Sequence, residues 1–294
     1  MHAFTQLELD TVIGNVEYCD VGTGRPVLYF HGTGTGNDAA VLLERLLLNS
    51  GYRLIVPNRP GYFRTALGQH GSADFCVDLV ARLLDYLEVD HAAVIGTSGG
   101  GMPAARFARR YPSRTAALIL QCAQAHRWDD GIWLPNRLNR FLFLFQSRVF
   151  TPLLRWQNRR HWNAAQRRPI SCVENMSGIR FPELRGDSAL LEEITVMAAM
   201  GLRCAAQPAG VQNDWAIMVG DNGIAPDTIA SPTLIIHDRH DPLVPFVHAE
   251  WSHQCIPQSQ LLDIHAGGHL IWYGRDAQQM HNTRVAFINA SLAE

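Results

Sequence analysis

Ser98 stands in Gly96-Thr97-Ser98-Gly99-Gly100, a serine with a glycine two residues before it and two after. A serine hydroxyl is a poor nucleophile at neutral pH and needs an adjacent base. The pentapeptide follows a strand-like run and precedes a helical pattern, the context in which a serine sits on a sharp strand-to-helix turn. The serine is strained there, and the flanking positions must be nearly free of side chain. Gly96 and Gly100 meet that need. The helix N-terminus beyond Ser98 offers unpaired N–H groups and a positive dipole end, both favourable to a developing oxyanion. Chance also places such pentapeptides in glycine-containing turns, so the partners of Ser98 must be sought elsewhere in the chain.

A histidine is the natural base, and His237, His240, His265 and His269 compete for the role. His269 follows Gly267-Gly268 on a loop after the last strand-like run, where an imidazole can project over a sheet. His265 and His269 are four apart, a spacing that could bind a metal on a helix. The two glycines argue for a loop instead, and no third ligand is obvious, so neither metal nor cofactor is expected. Asp238 and Asp241 are the carboxylates that could orient the imidazole. Gly32-Thr33-Gly34-Thr35-Gly36 fits neither a dinucleotide nor a P-loop pattern. The hydroxyls of Thr33 and Thr35 either touch substrate or face solvent.

The elements that must position these residues alternate through the first 126 residues, short β-branched runs with longer helical patterns. Strands are expected at Val16–Val21, Val27–His31, Arg53–Pro57, His91–Thr97 and Ala116–Gln121. Helices are expected from Asn37 or Asp38 to about Asn49, from Ser72 or Asp74 through Leu87, and over Met102–Tyr111. The rhythm returns at Pro232–His237 and closes with a helix around Asp276–Leu292. Between them the chain changes character. From Gly131 to Val173 it carries eight arginines and no acid. Aromatic residues cluster in the wider block from about Arg127 to Asp227: Trp128, Trp133, Phe141, Phe143, Phe145, Phe150, Trp156 and Trp162.

Together these motifs resemble the α/β-hydrolase family, specifically its cap-bearing members with a Ser-Gly-Gly-Gly elbow. His31-Gly32-Thr33-Gly34 is similar to the family's oxyanion segment. Asn58-Arg59-Pro60-Gly61-Tyr62 resembles its Asp-Arg-Pro-Gly turn, with asparagine where aspartate is usual. Asp241-Pro242-Leu243-Val244-Pro245 is similar to the segment carrying the triad acid, and Asp238 stands where the family usually has glycine. Gly267-Gly268-His269 resembles the segment carrying the triad histidine. The resemblance implies an α/β fold with a mostly parallel sheet flanked by helices and a helical cap inserted after the sixth strand. Core residues 1–126 and 228–294 would enclose a cap at 127–227. It implies Ser98 as nucleophile, His269 as base and Asp241 as acid, in the order expected for the fold. Backbone N–H groups of Thr33 and Gly99 would form the oxyanion hole, supported by His31, Gly32, Gly34, Gly96 and Gly100.

Composition excludes several other chemistries. The 25 basic residues are all arginine, so a Schiff-base or P-loop lysine is absent. A net charge of −2 gives no reason to expect nucleic acid. The six cysteines lie more than thirty residues apart, without metal-ligand spacing, and read as buried free thiols. No signal peptide or membrane-length apolar run is found, and a cytoplasmic location is expected. The arginine-rich stretch could steer anionic substrates or form a solvated face. The expected partner is a small apolar or aromatic acyl compound, and a homo-oligomer is compatible with it. The implied reaction is hydrolysis of a carboxylic ester, thioester or lactone. Two alternatives stand beside it: the same triad used for C–C hydrolysis, perhydrolysis or acyl transfer, and a non-catalytic small-molecule receptor. Serine at position 98 argues against the dehalogenases and epoxide hydrolases of this fold, whose nucleophile is aspartate.

Overall fold

Eight segments become the strands of one sheet: β1 (Leu7–Thr11), β2 (Gly14–Val21), β3 (Pro26–Phe30), β4 (Arg53–Pro57), β5 (Ala92–Thr97), β6 (Thr115–Gln121), β7 (Thr233–Asp238) and β8 (Ser259–Ile264). The computed structural model describes residues 5–68, 71–125, 191–197, 199, 203, 209–219, 225–265 and 268–292, with 156, 160, 163, 167 and 168. Spatial order is β1-β2-β4-β3-β5-β6-β7-β8. The pairs β1–β2 and β2–β4 are antiparallel, and the rest are parallel. β5 and β7 are buried at every position, as parallel strands covered on both faces must be.

Alternation along β3 divides the core into two layers. Leu28 and Phe30 pack with Leu83, Val94 and Phe107 on one face of the sheet. Val27 and Tyr29 pack with Leu47, Leu54, Ile95 and Ile288 on the other. The first layer is closed by α3 (Ala73–Tyr86), α4 (Gly101–Arg110) and, later in the chain, α6 (Val247–Cys255), the second by α1 (Asn37–Leu43), α2 (Arg45–Asn49) and the last helix, α7 (Ala277–Ser291). Helix α3 begins as its sequence indicates: Ser72 Oγ accepts the Phe75 N–H at 3.1 Å.

Two expectations are revised. The helix expected to run from Asn37 to Asn49 is broken at Glu44, whose backbone leaves the helical region (φ −96°, ψ 19°). The cause is tertiary, because the Glu44 side chain is fully buried and bonded to three distant residues. Gly36 occupies the N-cap of α1, while the Asn37 amide pairs instead with Gln6 through two 2.8 Å bonds. Strand β1 was not expected at all; it is an edge strand, mostly exposed, with little apolar signal.

The chain runs from β3 to β4 on one side and then crosses to β5 on the other. Such a switch point opens a crevice at the C-terminal ends of the two strands. The loop after β3 starts at His31, and the turn after β5 starts at Ser98. Topology therefore brings these two motifs together.

Residues 127–227 fall between β6 and β7, and most lie outside the described residues, including every aromatic named above except Trp156. Trp156 is exposed, with the Arg160 guanidinium 5.2 Å above the centre of its ring. Arg160, Arg167 and Arg168 are exposed, the placement of a solvated face. Helix α5 (Ala209–Val219) is held on the core through Gly210 N–H, which donates to Gly61 O at 2.9 Å. Arg203 reaches Asp38 at 2.7 Å, and Glu193 pairs with Arg45. Among the described residues no helix is long and apolar enough to cross a membrane.

Candidate active site

Ser98 has φ +53°, a left-handed conformation costly for a residue with a Cβ. It opens the short turn Ser98–Gly100 that leads into α4. The flanking glycines are required by close approach. A Cβ on Gly96 would lie 2.5 Å from Ala104 Cβ, and one on Gly100 would lie 2.7 Å from the His31 carbonyl. The Gln124 N–H donates to Ser98 O at 3.0 Å and fixes the turn from β6's end.

Asp241 and His269, 28 residues apart, meet at 2.7 Å between Oδ2 and Nδ1. Oδ1 of Asp241 accepts the N–H groups of Leu243 and Val244 at 2.8 and 2.9 Å. Burial would raise the Asp241 carboxyl, yet His269 and His237 beside it hold it well below the usual carboxylate range. Asp238 does not reach the imidazole. Its Oδ2 accepts Gly268 N–H at 3.0 Å and its Oδ1 accepts His240 N–H at 2.8 Å, so it braces the loop that carries His269. Of the competing histidines only His237 stays near the acid, with Nε2 3.4 Å from Asp241 Oδ2. Nε2 of His237 lies 2.8 Å from the Val244 carbonyl, and His240 and His265 face one another with ring centres 6.0 Å apart.

The loop after β3 is set by a buried polar cluster. Nδ1 of His31 donates to Gly32 O at 2.9 Å, and its Nε2 accepts Arg59 N–H at 3.0 Å, which fixes a neutral tautomer. Burial, with Arg59 nearby, pushes the His31 pKa well below its ordinary value. Thr33 does not offer its hydroxyl to a substrate, because Oγ1 donates to Asp214 Oδ2 at 2.7 Å. The Thr35 hydroxyl is likewise used, on Gly32 O at 2.9 Å. Arg59 grips Asp214 with two bonds of 2.5 and 2.7 Å. Tyr62 donates its hydroxyl to Asp214 at 2.7 Å and accepts Gly34 N–H at 3.1 Å. Asp214, on α5, thus ties the loop at two points. Asn58 explains itself similarly: its Nδ2 donates to the buried Glu17 carboxylate at 2.6 Å, which aspartate could not do.

Ser98, Thr33 and His269 line one cavity of about 160 Å³, walled chiefly by Ala40, Leu43, Ile194, Met197, Leu270 and Trp272. A family model described as the alpha/beta hydrolase fold matches residues 25–275. The chain belongs to the α/β-hydrolase family. It is 26 % identical to the uncharacterized hydrolase YcgS of Bacillus subtilis (strain 168), over 94 % of this chain and 96 % of that one. A 2-hydroxy-6-oxo-2,4-heptadienoate hydrolase of Pseudomonas putida is 32 % identical over 39 % of this chain and 45 % of its own length. Among solved structures, an alpha/beta hydrolase fold protein from Nakamurella multipartita superposes with a TM-score of 0.72 at 26 % identity, covering 97 % of this chain and 99 % of that one.

Below the cavity this α/β-hydrolase carries a polar layer that motif reading misses. The Glu44 carboxylate accepts from Trp272 Nε1 at 2.9 Å, Gln121 Nε2 at 3.0 Å and Arg284 Nη1 at 2.7 Å. Gln121 Nε2 also donates to Thr97 Oγ1 at 3.0 Å, and Thr97 Oγ1 lies 2.6 Å from Tyr29 Oη. These residues come from β3, the α1–α2 junction, β5, β6, the loop after β8 and α7. No local spacing announces them; only the unusual arginine in the last helix, fully buried, carries a signal. Four cysteines are described, all free. Burial pushes the thiols of Cys19 and Cys76 up to about 12.

Proposed function

We propose that this hydrolase cleaves a carboxylic ester, thioester or lactone through an acyl-enzyme on Ser98. The observation that carries the reading is the 2.7 Å Asp241–His269 pair on the same apolar cavity as the strained Ser98. In this mechanism Ser98 Oγ attacks the acyl carbon while His269 Nε2 takes its proton. Asp241 holds the imidazole through Nδ1 and stabilises the imidazolium. Backbone N–H groups of Thr33 and Gly99 receive the oxyanion, already aimed before charge develops. His269 then protonates the leaving alcohol, thiol or lactone oxygen as the C–O or C–S bond breaks. It next activates water, whose oxygen bonds the acyl carbon and releases the acid and Ser98.

Residues 127–227 act in this reading as a cap, supported by Asp214 on α5 reaching the Thr33 loop. The free thiols suit a reducing, cytoplasmic compartment. A second reading, C–C bond hydrolysis by the same residues, is favoured by the partial likeness to the heptadienoate hydrolase. Fluorophosphonate labelling with a panel of p-nitrophenyl esters tests both. Wild type labels and turns over short esters, and Ser98→Ala does neither. Labelling of Ser98→Ala at the wild-type level sinks the nucleophile; a labelled serine with no ester turnover favours the C–C reading.

A further inference from the structure

Two hydroxyls in the polar layer beneath the cavity hold one hydrogen more than their neighbours can take; Arg284 Nε and Nη2 are also without partners there among the described residues, but only the hydroxyls border the cavity. Tyr29 Oη and Thr97 Oγ1 are 2.6 Å apart, and both residues line the cavity. Thr97 Oγ1 accepts one Gln121 amide hydrogen, and the second goes to Glu44. Two hydroxyls bring two hydrogens, and the bond between them uses one. Whichever oxygen donates, the other hydroxyl hydrogen finds no acceptor among the described residues. Tyr29 is 1 % exposed and Thr97 5 %, so the group is shielded from bulk solvent. A buried polar hydrogen takes an acceptor, and the cavity is the space these side chains share. Burial, with Glu44 adding to it, pushes the Tyr29 phenol well above its ordinary pKa, which keeps it a donor.

We propose that Tyr29 and Thr97 form a hydrogen-bond donor subsite for the acyl group of the substrate, which carries a neutral oxygen on a short, otherwise hydrocarbon chain. The inference rests on the ester-hydrolase reading above. Leu43, Ile194, Met197 and Leu270 accept the hydrocarbon part. A cavity of about 160 Å³ is close to one that holds a single benzene ring, so the acyl group is short. Glu44 and Arg284 neutralise each other at 2.7 Å, leaving a hydroxyl dipole at the floor rather than a charge. An ether or ketone oxygen suits that donor. A carboxylate does not.

The test swaps one methylene for oxygen. Kinetics of p-nitrophenyl pentanoate are compared with 3-methoxypropanoate, and of hexanoate with 4-methoxybutanoate, each corrected for the ester's hydroxide-catalysed rate. Wild type favours the ether in at least one pair, where a purely apolar pocket would reject it. Each single substitution, Tyr29→Phe or Thr97→Val, leaves one hydroxyl hydrogen available. The combined variant removes both, and its ether-to-alkyl ratio of kcat/KM falls roughly three- to tenfold. Thr97→Ser retains the ratio. Because the ratio is the readout, losses common to both esters cancel. Wild type that favours the alkyl ester in both pairs overturns the subsite without needing any variant to fold, and so does a combined variant with the wild-type ratio. Turnover of neither ester by a labelled serine marks instead the failure of the ester reading, and the subsite falls with it.

Discussion

Asp214→Asn removes one negative charge from the point where four donors converge. Oδ1 accepts Arg59 Nη1, and Oδ2 accepts Arg59 Nη2, Thr33 and Tyr62. An amide has one acceptor oxygen. If that oxygen takes the Oδ2 position, the NH₂ group points at Arg59 Nη1, donor against donor. The Arg59 and Asp214 side chains are each 4 % exposed, so water cannot restore what is lost. Stranding one partner of a buried pair costs about 3–5 kcal/mol. Urea unfolding should register that loss as a lower midpoint. Adding Arg59→Met removes the stranded cation, so the double variant is predicted to be more stable than Asp214→Asn alone. The same change loosens the Thr33 loop, and kcat for a short ester should fall between about tenfold and a hundredfold, with KM changing less. A stability loss under about 1 kcal/mol, or single effects that simply add in the double variant, would refute the reasoning.

Asp241→Asn and Asp238→Asn separate the two acids: kcat should fall by roughly 10³–10⁴ in the first and by about tenfold in the second, and equal losses would contradict the geometry. Because Asp241 is held below its ordinary range, its ionised form stabilises the fold above about pH 4, and this is lost as pH falls further. The stability gap between wild type and Asp241→Asn, measured in urea from pH 6 to pH 3, should therefore narrow on acidification. Asn58→Asp installs the residue more usual in the family but presses it against Glu17, where the amide now lies at 2.6 Å. One carboxyl must hold a proton that the unfolded chain releases, so a loss of about 1–3 kcal/mol near neutral pH should shrink toward pH 5, as denaturant unfolding can show.

Contiguous motifs were legible in the sequence because their constraints are local. Gly96 and Gly100 are forced by backbone approach around Ser98, and a strand-to-helix turn is visible in a few residues. The sheet was legible for a similar reason, since buried parallel strands such as β5 and β7 carry short apolar stretches, Ala92–Ile95 and Leu234–Ile236. What sequence reading could not supply were pairings between distant side chains. Thr33 meets Asp214 across 181 positions, and Glu44 meets Arg284 across 240. The first reassigns a hydroxyl expected at the substrate or in solvent, and the second breaks a helix expected to be continuous. Asp238 shows the intermediate case. It was legible as a rival acid, but only geometry reveals that its carboxylate holds Gly268 and His240 backbone N–H groups.

The carboxylate of Asp214 belongs to the segment between β6 and β7, yet its donors belong to the loops that follow β3 and β4. That shared ownership limits how freely the segment can be exchanged. A chimera that grafts a foreign insert onto this core must bring an acid to the Asp214 position, or Arg59 will sit buried without a counter-charge. The placement of the insert and the shape of the Thr33 loop are then not independently adjustable here. A sequence change that shifts α5 also moves the loop beside Ser98, so variation in the insert is filtered by the same ion pair that holds it down.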